Sequence, residues 1–169
     1  KTFYKDVLKE LETGSLAIFA GAGLSVAAGH VNWKQLLKEI TEDLGLNYSA
    51  ENDLIAIAQY NTNKVGSRSM INRQIIEEFN RDIKHTENHR ILARLPIYTY
   101  WTTNYDNLIE KSLEETKRIP DVKHDLKQLA YPKPRRDAII YKMHGDATMP
   151  ADATITKDDY ERYATDKTA

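Results

Sequence analysis

The spacing of apolar and polar positions divides the chain into helices and short buried strands. Phe3, Val7, Leu8 and Leu11 recur at helical intervals and predict a helix over 2–13, ended by Gly14. Leu16 to Ala20 follows a different pattern. It is too short and too apolar for a surface helix and suits a strand buried on both faces of a parallel sheet. Trp33, Leu36, Leu37, Ile40 and Leu44 predict an amphipathic helix closed by Gly45. Leu54, Ile55, Ile57 and Ala58 predict a third helix over 51–60, and Ile71, Ile75, Ile76, Phe79 and Ile83 a fourth over 69–84. A short helix over 88–95 stops at Pro96, so the stretch between the first strand and the next is expected to be helical throughout. Ile97 to Thr102 has the β-branched and aromatic composition of a strand, and Leu108, Ile109 and Leu113 share a helical face after it. Residues 117–136 read as a basic, proline-containing surface segment with one short strand near Val122. Ala138 to Lys142 predicts another buried strand, and a last helix begins at Thr156 or Lys157 and covers Tyr160 and Tyr163.

This alternation predicts an α/β, Rossmann-like fold, with a mainly parallel sheet, helices on both faces and a helical insertion after the first strand. In such sheets ligands sit outside the carboxyl ends of the strands. Three polar punctuations each follow a predicted strand: Gly21-Ala22-Gly23-Leu24-Ser25, Thr102-Thr103-Asn104-Tyr105-Asp106 and His144-Gly145-Asp146. They are therefore expected on one edge of the sheet, sharing a pocket. Gly21 and Gly23 permit backbone angles and a close approach that a Cβ forbids, which is how a chain presents bare N–H groups to a phosphate. A plain tight turn is the alternative. The loop is not the ordinary dinucleotide fingerprint, because Val26 stands where its third glycine belongs, and a common dehydrogenase is disfavoured. Thr103 or Asn104 also fits a helix N-cap with Asp106 in the first turn, and His144 also fits a structural histidine in a strand-ending turn. His30 stands near the glycine loop, whereas His85, His89 and His124 read as surface residues. No histidine spacing suggests a metal site.

Composition narrows the classes. A chain of 169 residues fits a single domain over 1–169, and its 24 basic and 25 acidic residues nearly cancel, leaving no global field for nucleic acid or an anionic membrane. The absence of cysteine excludes disulfides and thiolate zinc sites and is compatible with the cytoplasm. Leu16 to Leu24 is too short to span a bilayer, and Asp6, Glu10 and Glu12 before it argue against a signal peptide. The chain opens with Lys1 and is read as a piece of a longer protein, truncated on its C-terminal side.

Taken in order, the three loops resemble the sirtuin family. Gly21, Ala22, Gly23, Ser25 and Gly29 match its Gly-Ala-Gly-x-Ser-x-x-x-Gly pattern, with Trp33 at the following aromatic position. Thr102, Asn104 and Asp106 match Thr-x-Asn-x-Asp, and His144 and Gly145 match His-Gly. Two departures stand out: there are no zinc-binding cysteine pairs after His-Gly, and Gly29-His30-Val31-Asn32-Trp33 replaces Gly-Ile-Pro-Asp-Phe. The chain is most similar to zinc-less sirtuin-like domains of bacterial multidomain proteins, many tied to phage defence. That resemblance implies an enzyme that hydrolyses NAD at the nicotinamide–ribose bond, with NAD as substrate, no zinc, and attached domains as partners. A homo-oligomer is compatible with it. By the same resemblance Gly21, Ala22, Gly23, Ser25 and Thr103 help bind the dinucleotide, with the glycine loop on the pyrophosphate. Asn104 meets the nicotinamide ribose or the attacking water, Asp106 helps fix the carboxamide end, and His144 is the base or hydrogen-bond partner. A sensor that binds NAD or ADP-ribose without chemistry, and a protein deacylase, are the alternative functions.

Overall fold

A computed structural model describes residues 2–166. Four short strands, β1 (Ala17–Ala20), β2 (Thr99–Thr102), β3 (Pro120–Lys123) and β4 (Ala138–Lys142), form one sheet in the order β1-β2-β4-β3. All three pairings are parallel. The register aligns the loops: Ala20 pairs with Thr102 and Thr102 with Lys142, so three strands end level. The backbone continues the ladder by one step, with the Thr103 N–H donating to the Ala20 carbonyl at 3.4 Å and the Met143 N–H to the Thr102 carbonyl at 2.8 Å. The three polar segments therefore leave the same edge side by side.

Because successive strand residues point to opposite faces, the sheet divides into two rows. Tyr100 and Ile140 are buried on one face beneath α7 (Glu87–Arg94) and α8 (Leu108–Glu115), with Ala93, Ile97, Ile109 and Leu113. Phe19, Trp101 and Tyr141 stand in register on the other, where the Trp101 and Tyr141 rings are 4.8 Å apart and Phe19 remains 66% exposed. At the N-terminus α1 (Thr2–Glu12) buries none of its residues fully, although Leu11 reaches the first core.

A second core lies at the carboxyl end of the sheet. Of the helical insertion, α2 (Ala22–Val26) packs Leu24 against the first core, whereas α3 (Trp33–Leu36), α4 (Lys38–Asp43), α5 (Leu54–Val65) and α6 (Ser69–Phe79) join here with the loops that follow β2 and β4. Leu36, Leu37, Ile40, Ile57, Ile71, Ile75 and Phe79 pack there against Tyr105, Ala147, Ala153 and Ile155. Burying each such side chain is worth about 1.5–3 kcal/mol, so this cluster, and not the short strands alone, fixes where the loops sit. The last described helix, α9 (Lys157–Asp166), docks on α5 through Gln59, which donates to the Asp158 carboxylate at 2.8 Å and accepts from the Asp158 N–H at 3.0 Å.

Several boundaries differ from the sequence reading. The helix expected over Trp33 to Leu44 is broken at Leu37, whose backbone (φ −91°, ψ 8°) leaves helical geometry, yet Leu36, Leu37 and Ile40 on both sides of the break are buried. The third helix begins later and runs further, to Val65, where Gly66 (φ 73°) caps it in the left-handed conformation. The fourth ends at Phe79, short of Ile83. His89 corrects its surface assignment: it is buried, and its Nδ1 accepts from the Thr86 N–H at 3.2 Å to close the cap of α7.

Candidate functional site

The glycine loop turns directly from β1 into α2. Gly21 is extended (φ −107°), and Gly23 lies inside the helix, so neither needs an angle forbidden to other residues. A Cβ built on either would meet no protein atom within 4 Å. Their value therefore lies in the open space above the backbone rather than in backbone freedom. That space borders the first turn of α2, whose leading N–H groups have no intrahelical acceptor. Within the three loops the glycines with a positive φ are Gly29 (φ 107°) and Gly145 (φ 89°); at Gly145 a Cβ would approach the Ala153 Cα to 3.1 Å. The far end of the loop is pinned to α6, because buried His30 places Nδ1 3.1 Å from the Glu78 carbonyl and Arg81 donates to the Gly29 carbonyl at 3.1 Å.

A chain of polar contacts joins this loop to the one after β2. The Asn104 side-chain amide donates from Nδ2 to the Gly21 carbonyl at 3.0 Å and to Ser25 Oγ at 2.8 Å. Ser25 in turn donates to Asp106 Oδ2 at 2.5 Å, and Asp106 Oδ1 accepts from the Leu108 N–H at 3.0 Å. A carbonyl can only accept, so the Gly21 contact fixes which way the amide faces. Both of its hydrogens are thereby used, and Asn104 Oδ1 is the atom left to accept a hydrogen bond from a ligand. Ser25, Asn104 and Asp106 are all buried. The backbone is arranged for the same end, since the Asn104 N–H donates to Thr102 Oγ1 at 3.0 Å.

Beneath the second and third loops lies a buried ion cluster that sequence reasoning missed. Lys142, the last residue of β4, is 0% exposed. Its ammonium donates to the Asp106 carbonyl at 2.5 Å, to the Tyr105 carbonyl at 3.2 Å and to Asp146 Oδ2 at 2.5 Å, and it lies 3.1 Å from Glu110 Oε1. Burial alone would lower the Lys142 pKa, but Glu110 and Asp146 raise it above the ordinary value. Burial opposes ionisation of Asp146 as well, yet Lys142 and the Thr148 amide hold its carboxyl below the usual range. At Glu110 burial prevails and pushes the carboxyl up despite the neighbouring ammonium. One cation thus ties the Asn104–Asp106 loop to the His144–Asp146 turn.

Above this floor is a cavity of about 260 Å³. Ala22, Ser25, Thr103, Asn104, Asp106 and His144 line it, so residues from all three predicted loops converge. Gly21 joins them through its carbonyl bond to Asn104, and Gly23 follows Ala22 on the open side of the loop. The remaining walls are Val31, Trp33, Phe79, Tyr105 and Tyr160. Of these, only Trp33 belongs to the sequence pattern. Burial pushes the Tyr105 hydroxyl well up, and it donates to the Thr154 carbonyl at 2.8 Å. The Thr154 N–H donates to the His144 carbonyl at 2.9 Å, so the segment entering α9 bridges the loops that follow β2 and β4.

Residues 98–169 match the SIR2-like domain family. The C-terminal part of the chain is thus similar to that family. The whole length is similar to proteins named NAD(+) hydrolase ThsA. That of Bacillus cereus (strain MSX-D12) is 55% identical over 96% of this chain, that of Cytobacillus dafuensis 52% over 94%, and that of Enterococcus faecium 47% over 100%. The chain spans about a third of the length of these relatives (34%, 32% and 36%). The helical insertion supplies the Trp33 and Phe79 walls of the cavity, and α9 supplies Tyr160. Among the described residues no three His, Asp or Glu side chains are grouped to hold a metal ion, and no helix is long and apolar enough to cross a membrane.

Proposed function

We propose that the protein hydrolyses NAD to nicotinamide and ADP-ribose, and that it does so in bacterial defence against phage. The observation that carries this reading is the convergence on one cavity of an open glycine loop, the oriented Asn104 amide and His144. The names of the relatives support the same substrate. In the reaction the bond between the nicotinamide nitrogen and ribose C1′ breaks, its electron pair stays on the nitrogen, and nicotinamide leaves neutral. The ribose passes through an oxocarbenium-like state, and water adds to C1′ with loss of a proton. Little covalent chemistry is asked of the protein, so positioning and charge carry the rate.

In this reading Ala22 and Gly23, with the space over Gly21, receive the pyrophosphate. Asn104 Oδ1 accepts from a ribose hydroxyl or the attacking water, and the His144 imidazole takes the proton as general base. Asp106 acts chiefly by holding Ser25 and the start of α8, as both its carboxylate oxygens are engaged there. Thr103 lines the same wall. Attached domains of the full-length protein complete the assignment as partners.

The test is nicotinamide release from NAD by the full-length protein, with and without an acylated peptide, beside His144→Ala and Asn104→Ala. Loss of general-base catalysis predicts at least about a hundredfold fall in His144→Ala, with a comparable loss in Asn104→Ala and no need for peptide. Binding of NAD without release would instead make the domain a sensor, and release only with peptide would make it a deacylase.

A further inference from the structure

We propose that Tyr160 positions the His144 imidazole for the reaction; its role in turnover rests on the NAD-hydrolase reading, but the positioning itself does not. Tyr160 is half-buried and lines the same cavity as His144. Its ring meets the imidazole edge-on, with centroids 5.5 Å apart and planes at 84°, and Tyr163 repeats the contact one turn later at 6.1 Å and 89°. Perpendicular aromatic pairs of this kind are attractive as well as space-filling, so the two rings select an orientation of the imidazole. Tyr160 is itself braced by Trp33, whose ring lies 6.5 Å away at 64°.

The support beneath Tyr160 is rigid and independent of the tyrosine. Asp159, buried beside it, accepts from the N–H groups of Thr156 at 2.8 Å and Ile155 at 3.2 Å and pairs with Arg68 at 2.6 Å. Arg68 also donates to the Ala153 carbonyl at 2.8 Å. These contacts, with buried Ile155, hold the start of α9 whether or not residue 160 is aromatic. The backbone of His144 is tied to the same segment through Thr154, so both its main chain and its side chain take their position from residues 153–163. Substituting Tyr160 therefore removes an orienting contact while leaving the core that folds the helix.

The experiment compares Tyr160→Phe and Tyr160→Leu in the full-length protein. Because a misplacement of about 1 Å costs up to about a hundredfold, Tyr160→Leu is expected to lower kcat by at least about tenfold. The contact orients a group that acts in the transition state, so KM for NAD should stay within about twofold and the melting temperature should hardly move. Tyr160→Phe keeps the ring and should restore turnover. An unchanged kcat in Tyr160→Leu, a rise in KM alone, or an equal loss in Tyr160→Phe would each overturn the assignment. The second readout is the His144 ring resonances in NMR spectra of the histidine-labelled protein without ligand, which should shift in Tyr160→Leu and stay near wild type in Tyr160→Phe. If the wild type released no nicotinamide, the hydrolase reading would fall, while an unmoved His144 signal in Tyr160→Leu would remove the positioning role whatever the reaction.

Discussion

Replacing Lys142 with methionine removes the ammonium but keeps a chain of similar length. Four contacts disappear together: those to the carbonyls of Tyr105 and Asp106 and to the carboxylates of Asp146 and Glu110. Breaking a buried ion pair by deleting one partner costs about 3–5 kcal/mol, because the remaining charge stays buried without compensation. Against a total stability of about 5–15 kcal/mol this is a large share. For a chain of this size each kcal/mol is worth about 2–4 °C, so Lys142→Met should lower the melting temperature by about 10 °C near neutral pH. The loss should also depend on pH. In the wild type the depressed Asp146 pKa contributes stability above the unfolded carboxylate range, and that contribution disappears as pH falls through the folded value. In the variant the ammonium no longer lowers either carboxyl, so Glu110, already raised by burial, moves further up, and Asp146 moves up with the Thr148 contacts left to oppose burial. Each then binds its proton more readily in the folded variant than in the folded wild type, so the deficit should shrink between about pH 7 and about pH 5. Thermal denaturation across that range decides the matter. A melting temperature within about 2 °C of wild type near neutrality, or a deficit that widens on acidification, would refute the role given to the cluster.

Two further substitutions probe the upper side of the site. Ser25→Ala leaves Asp106 Oδ2 and one Asn104 hydrogen without their partner, for about 1–3 kcal/mol, and unfolding in denaturant should show it together with a kcat that falls more than KM rises. Gly23→Val meets no protein atom at its Cβ and helix propensity favours valine over glycine, so folding should not be weakened, while the thermal shift produced by NAD should vanish; an NAD shift equal to wild type would show that the space over the glycine loop is not where the dinucleotide lies.

The convergence of the three loops was legible because strand ends are marked by abrupt changes of composition, and parallel topology places such ends on one edge. Ala20, Thr102 and Lys142 stand level in the sheet as that argument requires. The physical role of the glycines was not legible. Gly21 and Gly23 suggest unusual backbone angles, yet among the glycines of the three loops the positive φ values belong to Gly29 and Gly145. Lys142 was hidden for a different reason: a lysine ending a strand reads as solvent-facing, and although Asp146 is only four residues on, Glu110 and the Tyr105 and Asp106 carbonyls are brought to it only by the fold. Leu37 shows the limit of periodicity itself, since an apolar repeat continues across a break when both halves face the same core. Tyr160 lay on a predicted helix, but nothing in the spacing of α9 reveals that its ring meets a histidine from another loop.

The three loops are not held with equal strength, and the difference bears on mechanism. The turns carrying Asn104 and His144 share the Lys142 cluster, the Tyr105–Thr154 bond and the second core, all buried. The glycine loop joins them through the Asn104–Gly21 and Asn104–Ser25 bonds and the Ser25–Asp106 bond, while Ala22 and Gly23 face solvent. Rigid support thus lies under the groups proposed to orient water and take its proton, where a small displacement is costly to rate. The more open loop is the one proposed to receive a phosphate, a ligand that backbone N–H groups can meet over a wider range of approach. Asn104 belongs to both systems, donating to the glycine loop with its nitrogen and leaving its oxygen for the ligand. A ligand seated over Gly21 and Gly23, as proposed, would lie beside the carbonyl that already holds the Asn104 amide, so the proposed pyrophosphate and ribose contacts would share one hydrogen-bonded support.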